Sequence, residues 1–306
     1  MSKKVTKYTN IILLLLISIL PTIIICIWFF HVDKETTVDL TVTSLYTVGK
    51  EQEKEIELWF DKIIYDMNFL KEIDCVKNFE QEKLDSIIEY TKLNRDIYKE
   101  IIILDKEANI VYGYNYNNQN FKDKKGVKEA LAGNIHVSDV MFISNDTFIE
   151  AVFPIYNNNL VVGVIYSKIN ASSLNEIMEF SRLMDESTES YIVDEEGRFI
   201  TNSRFIPDAV GKKEIDIKNI KLNIDYSNKV PYIDYRGVLV YGIYFDLPYN
   251  NWTLIIEEGA DSVNKNNSKI IRMGEMLSAL EVILVGIFQM VLRNKSKIIK
   301  NEDSED

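Results

Sequence analysis

Two apolar runs bracket this chain and constrain it more than any other feature. The first, Ile11 to Phe30, contains no Asp, Glu, Lys or Arg; the second runs from about Met276 to Leu292. A helix of such a length reaches across the hydrocarbon core of a bilayer. Lys3, Lys4 and Lys7 precede the first run, and Arg293, Lys295, Lys297 and Lys300 follow the second. Basic flanks belong on the cytoplasmic side. Both termini are therefore expected in the cytoplasm and everything between the runs outside it, in a two-pass protein of the cell membrane. A cleaved signal peptide fits less well, because the first run outlasts an ordinary h-region and continues into Trp28, Phe29, Phe30 and His31 without a small-x-small cleavage pattern. The cytoplasmic parts, residues 1–10 and 293–306, leave no room for an intracellular catalytic domain, so any output is expected to be carried by another protein. Glu281 lies inside the second run. An ionisable residue in a membrane helix is a functional hypothesis by default, and Glu281 either sits near the outer interface or pairs with a partner helix.

The part between the runs is acidic. The chain has 47 acidic against 35 basic side chains, a net charge of −12, and the basic residues that set the topology lie at the membrane ends. Binding to phosphate backbones calls for clustered Lys and Arg, so nucleic acid is not an expected partner, and lying flat on anionic lipid is disfavoured for the same reason. With 46% hydrophobic residues, 17 Tyr and 14 Phe, the chain can bury a large core. Cys26 lies within the first run and Cys75 outside it, so the two cannot share a disulfide. Cys75 is either a buried small apolar residue or an intermolecular crosslink. No phosphate-cradling glycine loop, H-E-x-x-H, Cys-x-x-Cys or Gly-x-Ser-x-Gly occurs. Two histidines, one at the membrane, leave almost no candidates for a His-centred triad or a zinc site. The chain is not expected to be an enzyme or to carry a cofactor or metal.

After the first run, Ile56, Trp59, Ile63, Met67 and Leu70 recur at steps of three and four. This spacing predicts a long helix over residues 31–75 with one apolar face. A second amphipathic helix is expected from Glu80 to about Asn94, with Leu84, Ile87, Ile88 and Thr91 inward. Strands follow at Glu100 to Leu104 and Asn109 to Tyr114, joined by the hairpin signal Asp105-Lys106-Glu107-Ala108. A short helix from about Lys124 to Ala132 stops at Gly133-Asn134. Three strands come next, Ile135 to Ser144, Thr147 to Tyr156 and Leu160 to Ile169, with turns at Asn145-Asp146 and Asn157-Asn158-Asn159. Ser173 to Glu176 has capping-box spacing and should open a helix. Then the pattern repeats: a hairpin over Tyr191 to Asp194 and Arg198 to Thr201, then strands at Tyr232 to Tyr235, Val238 to Phe245 and Trp252 to Glu257.

Several phrases within this plan resemble one family. They are Lys128-Glu129-Ala130-Leu131-Ala132-Gly133, Ala151-Val152-Phe153-Pro154-Ile155-Tyr156, and Val161-Val162-Gly163-Val164-Ile165 leading into Ile169 and Leu174. Further on stand Tyr191-Ile192-Val193-Asp194-Glu195-Glu196-Gly197-Arg198-Phe199-Ile200-Thr201 with Gly211-Lys212, then Tyr241-Gly242 and Asn251-Trp252-Thr253-Leu254. In order and spacing they resemble the double Cache extracytoplasmic sensor domain of bacterial chemoreceptors, histidine kinases and diguanylate cyclases, here without an output domain. The resemblance implies an α+β fold: two PAS-like Cache modules with antiparallel sheets stacked along a long N-terminal helix, flanked by transmembrane helices at 11–30 and 270–292. The membrane-distal module would span 76–185 and the membrane-proximal one 186–262. It also implies a homodimer through the long helix, whose Ile56-Trp59-Ile63-Met67-Leu70 face could equally cover the distal module.

In amino-acid-binding members of that family, contacts come from an Arg, nearby aromatics and an Asp at the end of the last distal strand. By that resemblance Lys124 stands at the Arg position, Gly126 and Val127 at the aromatic ones, and Lys168 at the Asp. An α-amino acid held in the usual way is then disfavoured, while Lys124 and Lys168 could hold an anion such as a carboxylate; alternatively each is a solvated surface lysine. Tyr112, Tyr114 and Tyr116 alternate along a strand and either line a pocket wall or pack on the sheet face. His136, beside Ser138 and Asp139, either titrates near neutral pH or is a hydrogen-bonded structural residue. The candidate ligand-binding set is Tyr114, Tyr116, Lys124, Val127, His136, Asp139, Phe153 and Lys168. The expected function is a membrane-anchored sensor that binds a small molecule and signals through a separate kinase, chemoreceptor or cyclase. The alternatives are a ligand-free Cache scaffold acting as an interaction partner, or the remnant of a longer receptor.

Overall fold

The computed structural model describes residues 2–94, 96–113, 120–143, 146–224, 229–265, 272, 274, 276–277, 279–284, 286–288 and 290. The chain divides into two compact units, Met1–Thr41 with Ala260–Asp306, and Val42–Gly259. The first holds the start of helix α1 (Ser2–Glu72), helix α7 (Ala260–Lys265) and helical positions between 272 and 290. Of the side chains in the Ile11–Phe30 run only Ile24 and Ile27 are described, and both are exposed, as are Leu280, Ile283 and Ile287 of the second run. Among the described residues no helix is long and apolar enough to cross a membrane. The first expected span, 11–30, lies on described backbone of α1, and the second, 270–292, falls partly outside the described residues.

The second unit is α+β: the rest of α1 and two antiparallel sheets. The apolar stripe read from the sequence is the buried face of α1. Ile56, Trp59, Ile63, Met67 and Leu70 are all buried, and Leu45, Val48 and Phe60 extend the stripe. Each fully buried aliphatic side chain there contributes about 1.5–3 kcal/mol. One polar residue interrupts it: buried Gln52 donates from Nε2 to the Ile177 carbonyl and the Ser190 hydroxyl, both at 2.8 Å. A short helix α2 (Asp74–Lys77) buries Cys75, which is a free thiol. Helix α3 (Gln81–Asn94) turns Leu84 and Ile88 inward as expected.

The first sheet contains β1 (Tyr98–Asp105), β2 (Ile110–Tyr112), β3 (His136–Val137), β4 (Met141–Ile143), β5 (Asp146–Asn157) and β6 (Leu160–Asn170). Their order is β2-β1-β6-β5-β3, with β4 also on β5, and helix α4 (Lys125–Leu131) lies between β2 and β3 in the chain. The hairpin turns follow their chemistry. Asp105 Oδ1 accepts the amides of Glu107 and Asn109 at 2.9 and 2.8 Å, while Asn158 and Asn159 take φ of 48° and 63°, a region Asn tolerates. The strand expected over Ile135 to Ser144 is split into β3 and β4. Ser138 is the reason: its Oγ accepts the Glu150 amide at 2.8 Å, taking a bond that a continuous ladder would use.

The second sheet is β7 (Thr188–Val193), β8 (Tyr232–Ile233), β9 (Leu239–Asp246) and β10 (Thr253–Gly259), ordered β7-β10-β9-β8. One face carries Tyr191, Val193, Tyr232, Val240 and Ile255, packed with Phe199 and with Ile220 of helix α6 (Ile217–Asn223). On the other face α1 comes in at Gly49, where a Cβ would sit 2.2 Å from the Phe245 ring. The strand expected at Arg198 to Thr201 is reduced to isolated bridges, Val193 with Phe199 and Arg198 with Glu214. Its turn is as read: Gly197 has φ 84°, and Asp194 Oδ1 accepts the amides of Glu196 and Arg198.

The segment between the sheets differs from the capping-box expectation. A 3-10 turn at Ala171–Ser173 precedes helix α5 (Leu174–Met178), and a second covers Glu179–Leu183. Asn170 is the cap, its side chain accepting the Ser172 amide. Ser173 Oγ instead donates to the Asn170 carbonyl and accepts from Trp59 Nε1 at 3.0 Å. The two sheets also meet directly. The Phe142 ring of β4 lies where a Cβ on Gly211 would fall, 2.7 Å away, and the Arg198 guanidinium is 5.2 Å from its centroid. Nearby, Asn250 Nδ2 donates to the Ser138 carbonyl at 2.9 Å.

Candidate functional site

Side chains alternate across a strand, so the register of the first sheet assigns its faces. Ile102, Leu104, Val152, Val164 and Tyr166 share one face and form an apolar cluster with Phe121, Val127 and Ala130. One step along that face the sheet becomes charged: Lys168 on β6 pairs in register with Glu100 on β1 and with Glu150 on β5. Lys124, at the N-cap of α4, completes the row. Its Nζ donates to Glu150 Oε1 at 2.5 Å and to the Tyr166 hydroxyl at 3.2 Å, and the Tyr166 hydroxyl donates to the same Glu150 oxygen at 2.6 Å. Lys168 Nζ sits 4.5 Å from the Phe148 ring centroid, a cation-π distance. Four charges of alternating sign, Glu100, Lys168, Glu150 and Lys124, thus border an apolar floor. Such a row can take up a carboxylate on an ammonium and an ammonium on a carboxylate.

His136 of β3 lies opposite Val152 and places Nδ1 2.6 Å from Glu129 Oε2 of α4. The helix approaches closely because residue 126 is glycine; a Cβ there would lie 2.5 Å from His136 Cδ2. The structure therefore brings Lys124, Val127, His136 and Lys168 to one face. Phe153 is fully buried and, by alternation between Val152 and Pro154, belongs to the opposite face. Asp139 is exposed, its carbonyl accepting the Ser138 hydroxyl. Tyr114 and Tyr116 lie outside the described residues. Glu150 and Tyr166 were not singled out from the sequence. Glu150 was visible as a charge at inward parity within the apolar strand Thr147 to Tyr156.

The second sheet holds a buried polar cluster. By sequence, the carboxylate pairs Asp194 with Glu195 and Glu257 with Glu258 read as ordinary solvated charges at turns and strand ends; the structure corrects this, since Glu257 and Asp194 are both buried. Glu189 on β7 and Glu257 on β10 are register partners on the face that carries Tyr191 and Ile255. Glu189 is well supplied: Oε1 accepts the Arg204 amide at 2.6 Å and Oε2 the Tyr235 hydroxyl at 2.5 Å. Glu257 is fully buried; Oε1 accepts the Tyr232 hydroxyl, while Oε2 has no partner among the described residues. Burial pushes its carboxyl up to about 8, with Asp234 and Glu189 adding to the rise and the Tyr232 hydrogen bond opposing it. Burial likewise drives the Tyr191 phenol well above its ordinary range.

Residues 34–265 match the Cache domain family. Among curated proteins none matches this chain in sequence. Solved structures with a similar fold include the sensory domain of the Campylobacter jejuni chemoreceptor Tlp3, at 14% identity and a TM-score of 0.62, covering 77% of this chain and 100% of that one. The ligand-binding domain of the Pseudomonas aeruginosa amino acid chemoreceptor PctB, in complex with L-Arg, aligns at 11% identity and a TM-score of 0.53, covering 73% and 97%. That of the Pseudomonas fluorescens chemoreceptor CtaA, with L-alanine, does so at 13% and 0.53, covering 72% and 98%. At these identities the likeness is one of fold.

Proposed function

The chain belongs to the Cache domain family, and on that premise we propose that it is a membrane-anchored extracytoplasmic sensor. Its membrane-distal module, residues 76–185, binds a small molecule bearing a carboxylate and passes occupancy to a separate kinase, chemoreceptor or cyclase. The observation that carries this reading is the Lys124, Glu150 and Tyr166 constellation at the edge of the apolar cluster. A ligand carboxylate would replace Glu150 on Lys124. Glu150, released, would then accept a ligand ammonium, so a zwitterion suits the row better than a simple anion. The structural neighbours crystallised with amino acids support the ligand class. Membrane anchoring is supported by the charge-free Ile11–Phe30 run and by the exposed Ile24, Ile27, Leu280, Ile283 and Ile287, apolar side chains that call for cover. Resistance of the full chain to alkaline carbonate extraction would test the anchoring.

The binding reading is tested by melting the detergent-solubilised full chain with amino acids, organic acids, amines and sugars. A ligand that binds only the native state raises the midpoint. A rise with a carboxylate-bearing compound, lost in Lys124→Ala, is the expected result. If the parent melts cooperatively and no compound moves it, the reading fails. A second reading, a Cache scaffold that serves as an interaction partner without a ligand, draws on the same pair: Lys124 and Glu150 already satisfy each other. It predicts co-purification with one membrane protein that survives Lys124→Ala.

A further inference from the structure

We propose that the second sheet carries a separate site for an ammonium group, lodged between the Glu257 carboxylate and the Tyr191 hydroxyl. Both groups are fully buried, and both Glu257 Oε2 and the Tyr191 oxygen lack a hydrogen-bond partner among the described residues. An orphaned buried polar atom is costly, and native interiors rarely leave two side by side. The two lie on one face of the sheet at diagonal positions of the β7/β10 ladder, Tyr191 opposite Ile255 and Glu257 opposite Glu189, yet they do not hydrogen-bond each other. A single group that donates to the carboxylate oxygen and to the phenol oxygen would satisfy both.

Charge narrows the choice. The ionised groups that bear on Glu257 are Glu189 from β7 and Asp234 and Arg236 from the turn after β8. Asp234 is held by Arg236, whose Nε lies 2.5 Å from Oδ2 and whose guanidinium stacks 3.9 Å from the Phe205 centroid. Arg204 directs its guanidinium to the carbonyls of Asp185 and Thr188, and Lys213 Nζ stands 6.0 Å from the Tyr235 centroid. The phenols of Tyr232 and Tyr235 already donate to Glu257 and Glu189. With Glu257 ionised, three carboxylates face one guanidinium, and the deficit is positive charge. Water supplies donors without charge. A proton on Glu257 supplies charge but only one donor. An ammonium supplies the charge and several N–H donors, in an aromatic surround where the Tyr191 and Phe199 rings stack at 4.6 Å and Tyr235 meets both edge-on at 5.5 and 5.2 Å.

The test is thermal melting of the full chain in detergent with methylammonium chloride against equal sodium chloride, at pH 7 and pH 9. Methylammonium should raise the midpoint saturably. Its apparent affinity should be about tenfold higher at pH 9, because it competes with the proton on Glu257. Glu257→Gln, a near-isostere of the protonated acid, should fold and lose the response, and Tyr191→Phe should weaken it several-fold. Lys124→Ala should leave it intact, which separates this site from the carboxylate site of the first sheet. Identical melting in the two salts, a response confined to pH, or a full response in Glu257→Gln would each overturn the proposal.

Discussion

Glu257 couples the stability of the molecule to pH. Its carboxyl titrates near 8 in the folded chain and near 4.5 ordinarily, so folding favours the protonated form. That contribution is complete below about pH 4.5 and is lost as pH rises through 8, on the order of a few kcal/mol. The denaturant midpoint of the parent should therefore fall from pH 5 to pH 9, and Glu257→Gln should flatten the profile; an unchanged slope would mean the carboxyl is already ionised in the fold. Glu258, also raised by burial, adds slope of the same sign. Lys124 and Glu150 raise a different question at this scale, because both are partly exposed. A double-mutant cycle with alanine at each should return a coupling of about 1 kcal/mol, at the upper end of the range of a freely exposed pair. A value near zero would place the pair in fully screened water.

Helices and strands were legible in the sequence wherever local chemistry and burial agreed. The α1 stripe, the α3 face, the Asp105 and Asn158-Asn159 turns and the β5/β6 pair all follow from spacing or from turn residues. The misreadings lie where a side chain competed with the backbone over a distance that sequence does not display. Ser138 breaks a strand by bonding to Glu150, and Ser173 gives up its expected cap for Trp59. The charged row was half legible: Lys124 and Lys168 came from a resemblance, whereas Glu150 needed the register. The acid cluster of the second sheet stayed hidden because Glu189 and Glu257, 68 positions apart in the numbering, meet only through β7/β10 pairing. At the level of one element, Gly126→Ala should gain about 1 kcal/mol of helix propensity in α4. It should lose about 1–3 kcal/mol to the collision with His136, for a net destabilisation by chemical denaturation. A more stable variant would show that the imidazole moves aside freely.

As a whole, the second unit exposes a second apolar stripe on its long helix. Leu58, Tyr65 and Phe69 fall on one side of α1, away from Ile56, Ile63 and Met67, and all three are exposed. A symmetric pair of chains could bury them, so the solubilised full chain should sediment as a dimer and Tyr65→Glu with Phe69→Glu should shift it to monomer. A monomeric parent would leave the stripe to another partner. The seating of Phe142 against Gly211 bears on how such a molecule can be recombined. A chimaera joined between the sheets would confront the Phe142 ring with a foreign loop, and any donor with a side chain at the position of Gly211 would refuse it. Exchange of either half of this unit is expected to succeed only when the ring and its glycine travel together.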